Sequence, residues 1–186
     1  ELGPRGGSYL LEGSVAFRRE LSIVAARDLE GRTVHYPLAE NVHRDGILRT
    51  SRAPADVTSG LEADARRIAD LVLHGLEHVG VLAIELFDTV DGLLVNEVAP
   101  RVHNSGHWTI EGAVTSQFEQ HIRAVCGLPL GDPALTGARV TMDNLIGDEI
   151  DQWPALVTEP GAHVHDYDKG DARPGRKMGH VTRVVR

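Results

Sequence analysis

Apolar residues in this chain fall into short runs separated by polar, glycine-containing stretches. The run 20–27 (ELSIVAAR) predicts a strand and 33–37 (TVHYP) a second, joined by Asp28-Leu29-Glu30-Gly31 as a hairpin connection. Residues 9–12 predict a shorter strand, after a glycine-rich loop over 3–7. From 41 to 54 the sequence is polar and reads as irregular. Leu61, Ala65, Ile68, Ala69, Val72 and Leu76 then recur at helical spacing, which predicts an amphipathic helix with one apolar face. VLAIELF (81–87) and LLVNEVA (93–99) predict two strands, joined into an antiparallel hairpin through 88–92. Residues 116–125 predict a second helix, stopped by Gly127 and Pro129.

A stretch rich in Pro and Gly over 128–136 suggests a boundary. Beyond it, short strands are expected over 138–144, 162–167 and 180–185. The reading is an α+β chain: a sheet with packed helices over 1–127, then a small β-rich unit over 128–186.

Composition narrows the function classes. The 186 residues are 41% hydrophobic and 25% charged, as in ordinary globular proteins. A net charge of −8 disfavours nucleic-acid phosphates and anionic membranes as partners. No apolar run approaches the ~20 residues that span a bilayer. The single cysteine, Cys126, excludes an internal disulfide, suits a reducing cytoplasm, and reads as a buried small apolar residue. The chain opens on Glu1, with neither a Met nor a signal pattern, and is expected to be a piece of something longer.

The predicted hairpin over 81–99 carries the chemistry. Glu85 and Glu97 interrupt apolar strands, and a buried carboxylate must be paired, hydrated or metal-bound. The short connection lets them lie close across the hairpin. With Asn96 they offer the hard oxygen ligands that Mg²⁺ takes. Spacing alone leaves an exposed sheet face equally open. Arg101 to Trp108 (RVHNSGHW) then packs a guanidinium, two imidazoles, an amide and a hydroxyl into one segment. Arg101 suits a carboxylate or phosphate, while His103 and Asn104 suit an oxyanion. A zinc reading of His103 and His107 lacks any supporting Cys or HExxH.

The run 96–110 (NEVAPRVHNSGHWTI) resembles the signature of the N5-carboxyaminoimidazole ribonucleotide synthases, an ATP-grasp family. So do 40–48 (ENVHRDGIL), 115–121 (TSQFEQH) and 172–182 (ARPGRKMGHVT), in the family's order along nearly the whole chain. The resemblance implies the C-terminal part of an ATP-grasp domain plus a small β-rich domain. It implies ATP- and bicarbonate-dependent carboxylation of aminoimidazole ribonucleotide through carboxyphosphate. It places the nucleotide along Glu12, Gly13, Ser14 and Val15, with Glu20 on the ribose and His43, Asn96 and Glu97 nearby. Glu85 and Glu97 would hold Mg²⁺. Arg101, His103 and Asn104 would bind bicarbonate and carboxyphosphate. Lys169, Arg173, Arg176 and Lys177 would bind the ribonucleotide phosphate. A cytoplasmic homodimer is the family's usual form.

One departure is expected to matter. The family's N-terminal domain and its glycine-rich, lysine-bearing phosphate loop are not in this sequence, and Gly3-Pro4-Arg5-Gly6-Gly7 is no substitute. The resemblance therefore implies a chain inactive by itself. The competing enzyme is a formate-using ATP-grasp relative, glycinamide ribonucleotide transformylase, against which HNSGHWT argues. A non-catalytic ATP-grasp-like module would be expected to lack the metal glutamates.

Overall fold

The structure, a computed structural model, describes residues 12–186; the loop over 3–7 and all but Glu12 of the strand expected over 9–12 lie outside the described residues. Among the described residues, nine strands form one sheet in the order β6-β5-β1-β3-β4-β7-β9-β8, with β2 paired to β1. They are β1 (Arg19–Arg27), β2 (Thr33–His35), β3 (Ala39–Arg44), β4 (Ile47–Ala53), β5 (Gly80–Thr89), β6 (Gly92–Ala99), β7 (Arg139–Ile146), β8 (Ala162–Asp166) and β9 (Lys177–Val185). Neighbouring strands all pair antiparallel. The strands after 128 continue this sheet, because β7 pairs with β4.

β1 and β5 are central and buried on both faces, which explains their unbroken apolar runs. Leu21, Ile23 and Ala25 of β1, with Leu82, Ile84 and Leu86 of β5, pack toward helix α1 (Ser59–Gly75). Val24, Ala26, Val81 and Ala83 point the other way, into a core with Tyr36 and Trp108. Each large apolar side chain so enclosed stabilises the fold by roughly 1.5–3 kcal/mol. Thr58 caps α1 by accepting from the Leu61 N–H at 3.3 Å, and Ala65, Ala69 and Leu73 form its buried stripe. Leu76, expected on that stripe, is exposed at the C-cap because the helix ends there.

Two expectations need correction. Residues 41–54 are not irregular: β3 and β4 form a hairpin there. Its turn is Asp45-Gly46, both with positive φ (53° and 71°), the backbone a tight hairpin favours. The polar composition misled because Asn41 and Ser51 are buried and satisfy each other, with Ser51 Oγ donating to Asn41 Oδ1 at 2.7 Å. Cys126 is exposed, not buried. It caps helix α3 (Gln117–Val125), past the last buried position of that helix, Ala124.

The face opposite α1 is covered by the segment after β6. It contains a 3-10 turn (Asn104–Gly106), a one-turn helix α2 (Thr109–Gly112) and α3, capped by Ser116. Trp108 anchors this cover, buried edge-on against Tyr36 at 6.2 Å. A second 3-10 segment (Gly147–Gln152) and a short helix α4 (Trp153–Leu156) follow β7.

Candidate metal and nucleotide cleft

On the covered face, a cleft of about 360 Å³ is lined by Glu20, His43, Gly46, Leu48, Glu85, Asn96, Glu97, His103 and Lys177. Glu20 comes from β1, His43 from β3, Glu85 from β5, Asn96 and Glu97 from β6, and Lys177 from β9. Three β-bulges help to shape it. In β5–β6, Glu85 pairs with Glu97 but Leu86 with Val95, so Asn96 is the extra residue. A regular strand would send Asn96 and Glu97 to opposite faces; with the bulge, both line the cleft. The β3–β4 pair shifts at His43, and the β7–β9 pair shifts beside Lys177.

Glu85 and Glu97 are direct cross-strand partners. Glu85 is buried at 9% exposure, while Glu97, on the edge strand, is half-exposed. Burial raises the Glu85 pKa above the usual carboxylate value, and the charges of Glu97 and Glu20 add to this while His43 opposes it. Among the described residues, the sole ion-pair partner of either is His103, with Nδ1 at 3.7 Å from Glu85 and Nε2 at 4.0 Å from Glu97. Burial lowers the His103 pKa, so this imidazole is a poor counter-charge. Two opposed carboxylates with an amide oxygen beside them, and among the described residues no Lys or Arg within ion-pair distance of either, fit a hard divalent cation.

His43 Nδ1 lies 2.9 Å from Glu20 Oε2 on the adjacent strand. Lys177 is half-buried, and burial lowers its pKa despite the nearby carboxylates. Asn104 sits just behind His103 in a reciprocal amide pair: its Nδ2 donates to Asn144 Oδ1 at 3.0 Å, and Asn144 Nδ2 donates back at 2.9 Å. Asn144 also donates to the Leu48 carbonyl at 3.0 Å.

Other predicted residues stand apart. Glu12, Gly13 and Ser14 are exposed and Val15 is half-buried, in non-strand chain before β1. Arg101 is exposed, its Nη1 donating to the Val102 carbonyl at 2.9 Å. The four basic residues do not share one pocket. Lys177 faces the cleft, while Lys169 donates to the Lys177 carbonyl at 2.8 Å and lies over the Tyr167 ring. Arg173 lines a separate depression with Arg49 and Glu149. Arg176 is half-buried, with its backbone N–H bonded to the Arg173 carbonyl at 3.0 Å.

The sequence reading assigned no role to Gln117, Asn144, Tyr167 or His180, all close to this segment. Tyr167 Oη and His180 Nδ1 are 2.7 Å apart, and the His165 and His180 rings stack at 4.4 Å. Burial lowers the His107 pKa to about 4 and that of His180 to about 3, so both are neutral near pH 7. The pairing of Tyr167 with His180, thirteen residues apart, has no local sequence signal.

The fold and cleft define the class: this chain belongs to the ATP-grasp family, whose domain model matches residues 2–118. A second model, the phosphoribosylaminoimidazole carboxylase C-terminal domain, matches residues 141–186. The chain is similar to the N5-carboxyaminoimidazole ribonucleotide synthase of Brucella melitensis, 54% identical over 94% of this chain and 48% of that protein. It resembles the crystal structure of the Thermus thermophilus synthetase, with a TM-score of 0.86 and 50% identity over 93% of this chain and 48% of that one. The Aspergillus clavatus synthase, solved in complex with ADP and 5-aminoimidazole ribonucleotide, gives a TM-score of 0.85 at 34% identity over 91% of this chain and 47% of that one. The chain spans about half the length of the curated relatives it matches.

Proposed function

We propose that this chain supplies the metal-binding and acyl-phosphate-handling wall of an ATP-dependent carboxylase acting on 5-aminoimidazole ribonucleotide. The carrying observation is the opposed pair Glu85 and Glu97, with His103 against both. Glu85, Glu97 and Asn96 would hold Mg²⁺, which when bound neutralises charge on the ATP phosphates during phosphoryl transfer. In this reading bicarbonate oxygen attacks the γ-phosphorus and ADP leaves. The carboxyphosphate formed breaks its C–O bond to give CO₂ and phosphate. The amine of the ribonucleotide then adds to CO₂ and loses a proton. His103 is neutral and half-buried, and its ring hydrogen-bonds with the anionic intermediate while limiting water access. Lys177 offers the cleft's positive charge to the same anion or to the substrate phosphate. Arg101 would bind bicarbonate and the carboxyphosphate in the same reading.

The nucleotide would lie from Glu12–Val15 toward Glu20 and His43, and Lys169, Arg173 and Arg176 would meet the ribonucleotide phosphate. Cytoplasmic location and a homodimer belong to the same reading and rest on family likeness. A substrate panel in the full-length protein tests it. Bicarbonate is expected to support turnover of ATP with aminoimidazole ribonucleotide and formate is not; turnover with formate and glycinamide ribonucleotide instead would overturn it.

A further inference from the structure

We propose that Gln117 is a positioning residue that sets His103 against the two cleft carboxylates; its catalytic consequence rests on the carboxylation reading above. Gln117 is fully buried at the start of α3. Its Oε1 accepts from the His103 N–H at 3.0 Å, and its Nε2 donates to the His103 carbonyl at 2.8 Å. The same Nε2 stands 2.8 Å from His107 Nδ1 and donates its second hydrogen there. The side chain thus pairs with both backbone groups of His103, as a neighbouring strand would. The loop is tied a second time: the Gln117 N–H donates to Thr109 Oγ1 at 2.9 Å, and Thr109 donates to the Gly106 carbonyl at 2.6 Å. Gly106 leaves the room, since a Cβ there would stand 2.5 Å from Gln117 Oε1. Only a side-chain amide of this length accepts once and donates twice in these directions. A carboxylate cannot donate, and asparagine is a methylene shorter. The TSQFE segment, which bears no obvious chemistry, gains a role through this contact.

The clamp requires His107 Nδ1 to be an acceptor, and burial keeps that imidazole neutral. The titratable groups facing His107 are His103, Lys177 and His165, and the rings against it are Phe118, Tyr167 and His180. Gln117→Glu in the full-length protein tests the assignment. While the introduced carboxyl keeps its proton, it can donate that single hydrogen to the His103 carbonyl in place of the amide, leaving His107 Nδ1 without a donor; once the proton leaves, the His103 carbonyl faces a bare carboxylate. The variant is expected to gain an alkaline limb along which kcat falls about 100-fold, absent from the wild type, with the KM for ATP changed by less than about 3-fold. An unshifted pH profile in the variant, with the wild type active, overturns the assignment. A wild type without bicarbonate-dependent turnover removes the carboxylation reading instead. The clamp is then judged, as it is if the variant fails to fold, by ¹⁵N NMR of wild-type protein. That spectrum should show His107 protonated on Nε2 alone and the Gln117 amide protons slow to exchange. A proton on His107 Nδ1, or fast exchange of the Gln117 amide, overturns the proposal.

Discussion

Glu85 and Glu97 face each other directly across the β5–β6 ladder, with bulged Asn96 at their side. Without a cation, this places a buried carboxylate opposite a like charge, an arrangement that destabilises a sheet. Glu85→Gln should therefore stabilise the metal-free protein by about 1 kcal/mol, a rise of about 2–4 °C in Tm. The same change in the full-length protein should abolish Mg-ATP turnover. Thermal unfolding without metal, and ADP release with Mg²⁺, check the two halves; a lowered Tm would show that the pair is not strained.

Asn104 and Asn144 exchange two amide hydrogen bonds, and Asn144 also satisfies the Leu48 carbonyl. Asn144→Ala leaves these groups without their partner. It should cost about 1–3 kcal/mol in denaturant unfolding and, in the full-length protein, slow turnover more than it weakens nucleotide binding. A variant with unchanged stability would contradict the pairing.

A methyl group at Gly106 meets Gln117 Oε1 at 2.5 Å, Gln117 Cδ at 2.9 Å and Val24 Cγ2 at 2.9 Å, all in packed core. Gly106→Ala is expected to destabilise by about 1–3 kcal/mol and to shift the imidazole resonances of His103. Gly161→Ala, where φ is 80° and a Cβ meets open space outside the cleft, isolates the cost of positive φ and should leave the His103 resonances unmoved.

Acid should loosen this protein before carboxylate protonation dominates. The pKa values of His107 and His180 are lowered by burial to about 4 and about 3. The unfolded chain, with His near 6.5, binds more protons below that pH, so stability is lost as pH falls from about 6.5 toward 4. Each group contributes at most about 1.4 kcal/mol per pH unit. The raised pKa of Glu85 acts in the opposite sense, costing stability as pH rises through it. Net stability measured by denaturant should decline between pH 6.5 and 4.5; a flat profile would mean that the two imidazoles are solvated.

The central strands were legible because β1 and β5 are apolar on both faces, and α1 because Ala65 and Ala69 keep helical spacing. The β3–β4 hairpin was not, although Asp45-Gly46 marked its turn, since Asn41 and Ser51 look like loop residues until they pair. Within the cleft, Glu85 and Glu97 stood out as charges in apolar strands. The bulge that turns Asn96 inward depends on register, which spacing does not reveal. Gln117 and Asn144 act through contacts 14 and 40 residues away in sequence, beyond any local pattern.

The most direct test of the carboxylation account follows oxygen from bicarbonate in the full-length protein. With ¹⁸O-labelled bicarbonate, Mg-ATP and aminoimidazole ribonucleotide, the inorganic phosphate released should carry one labelled oxygen, because the phosphoryl group passes through carboxyphosphate. Label transfer should vanish in Glu97→Gln. ATP consumption that yields unlabelled phosphate would contradict the account.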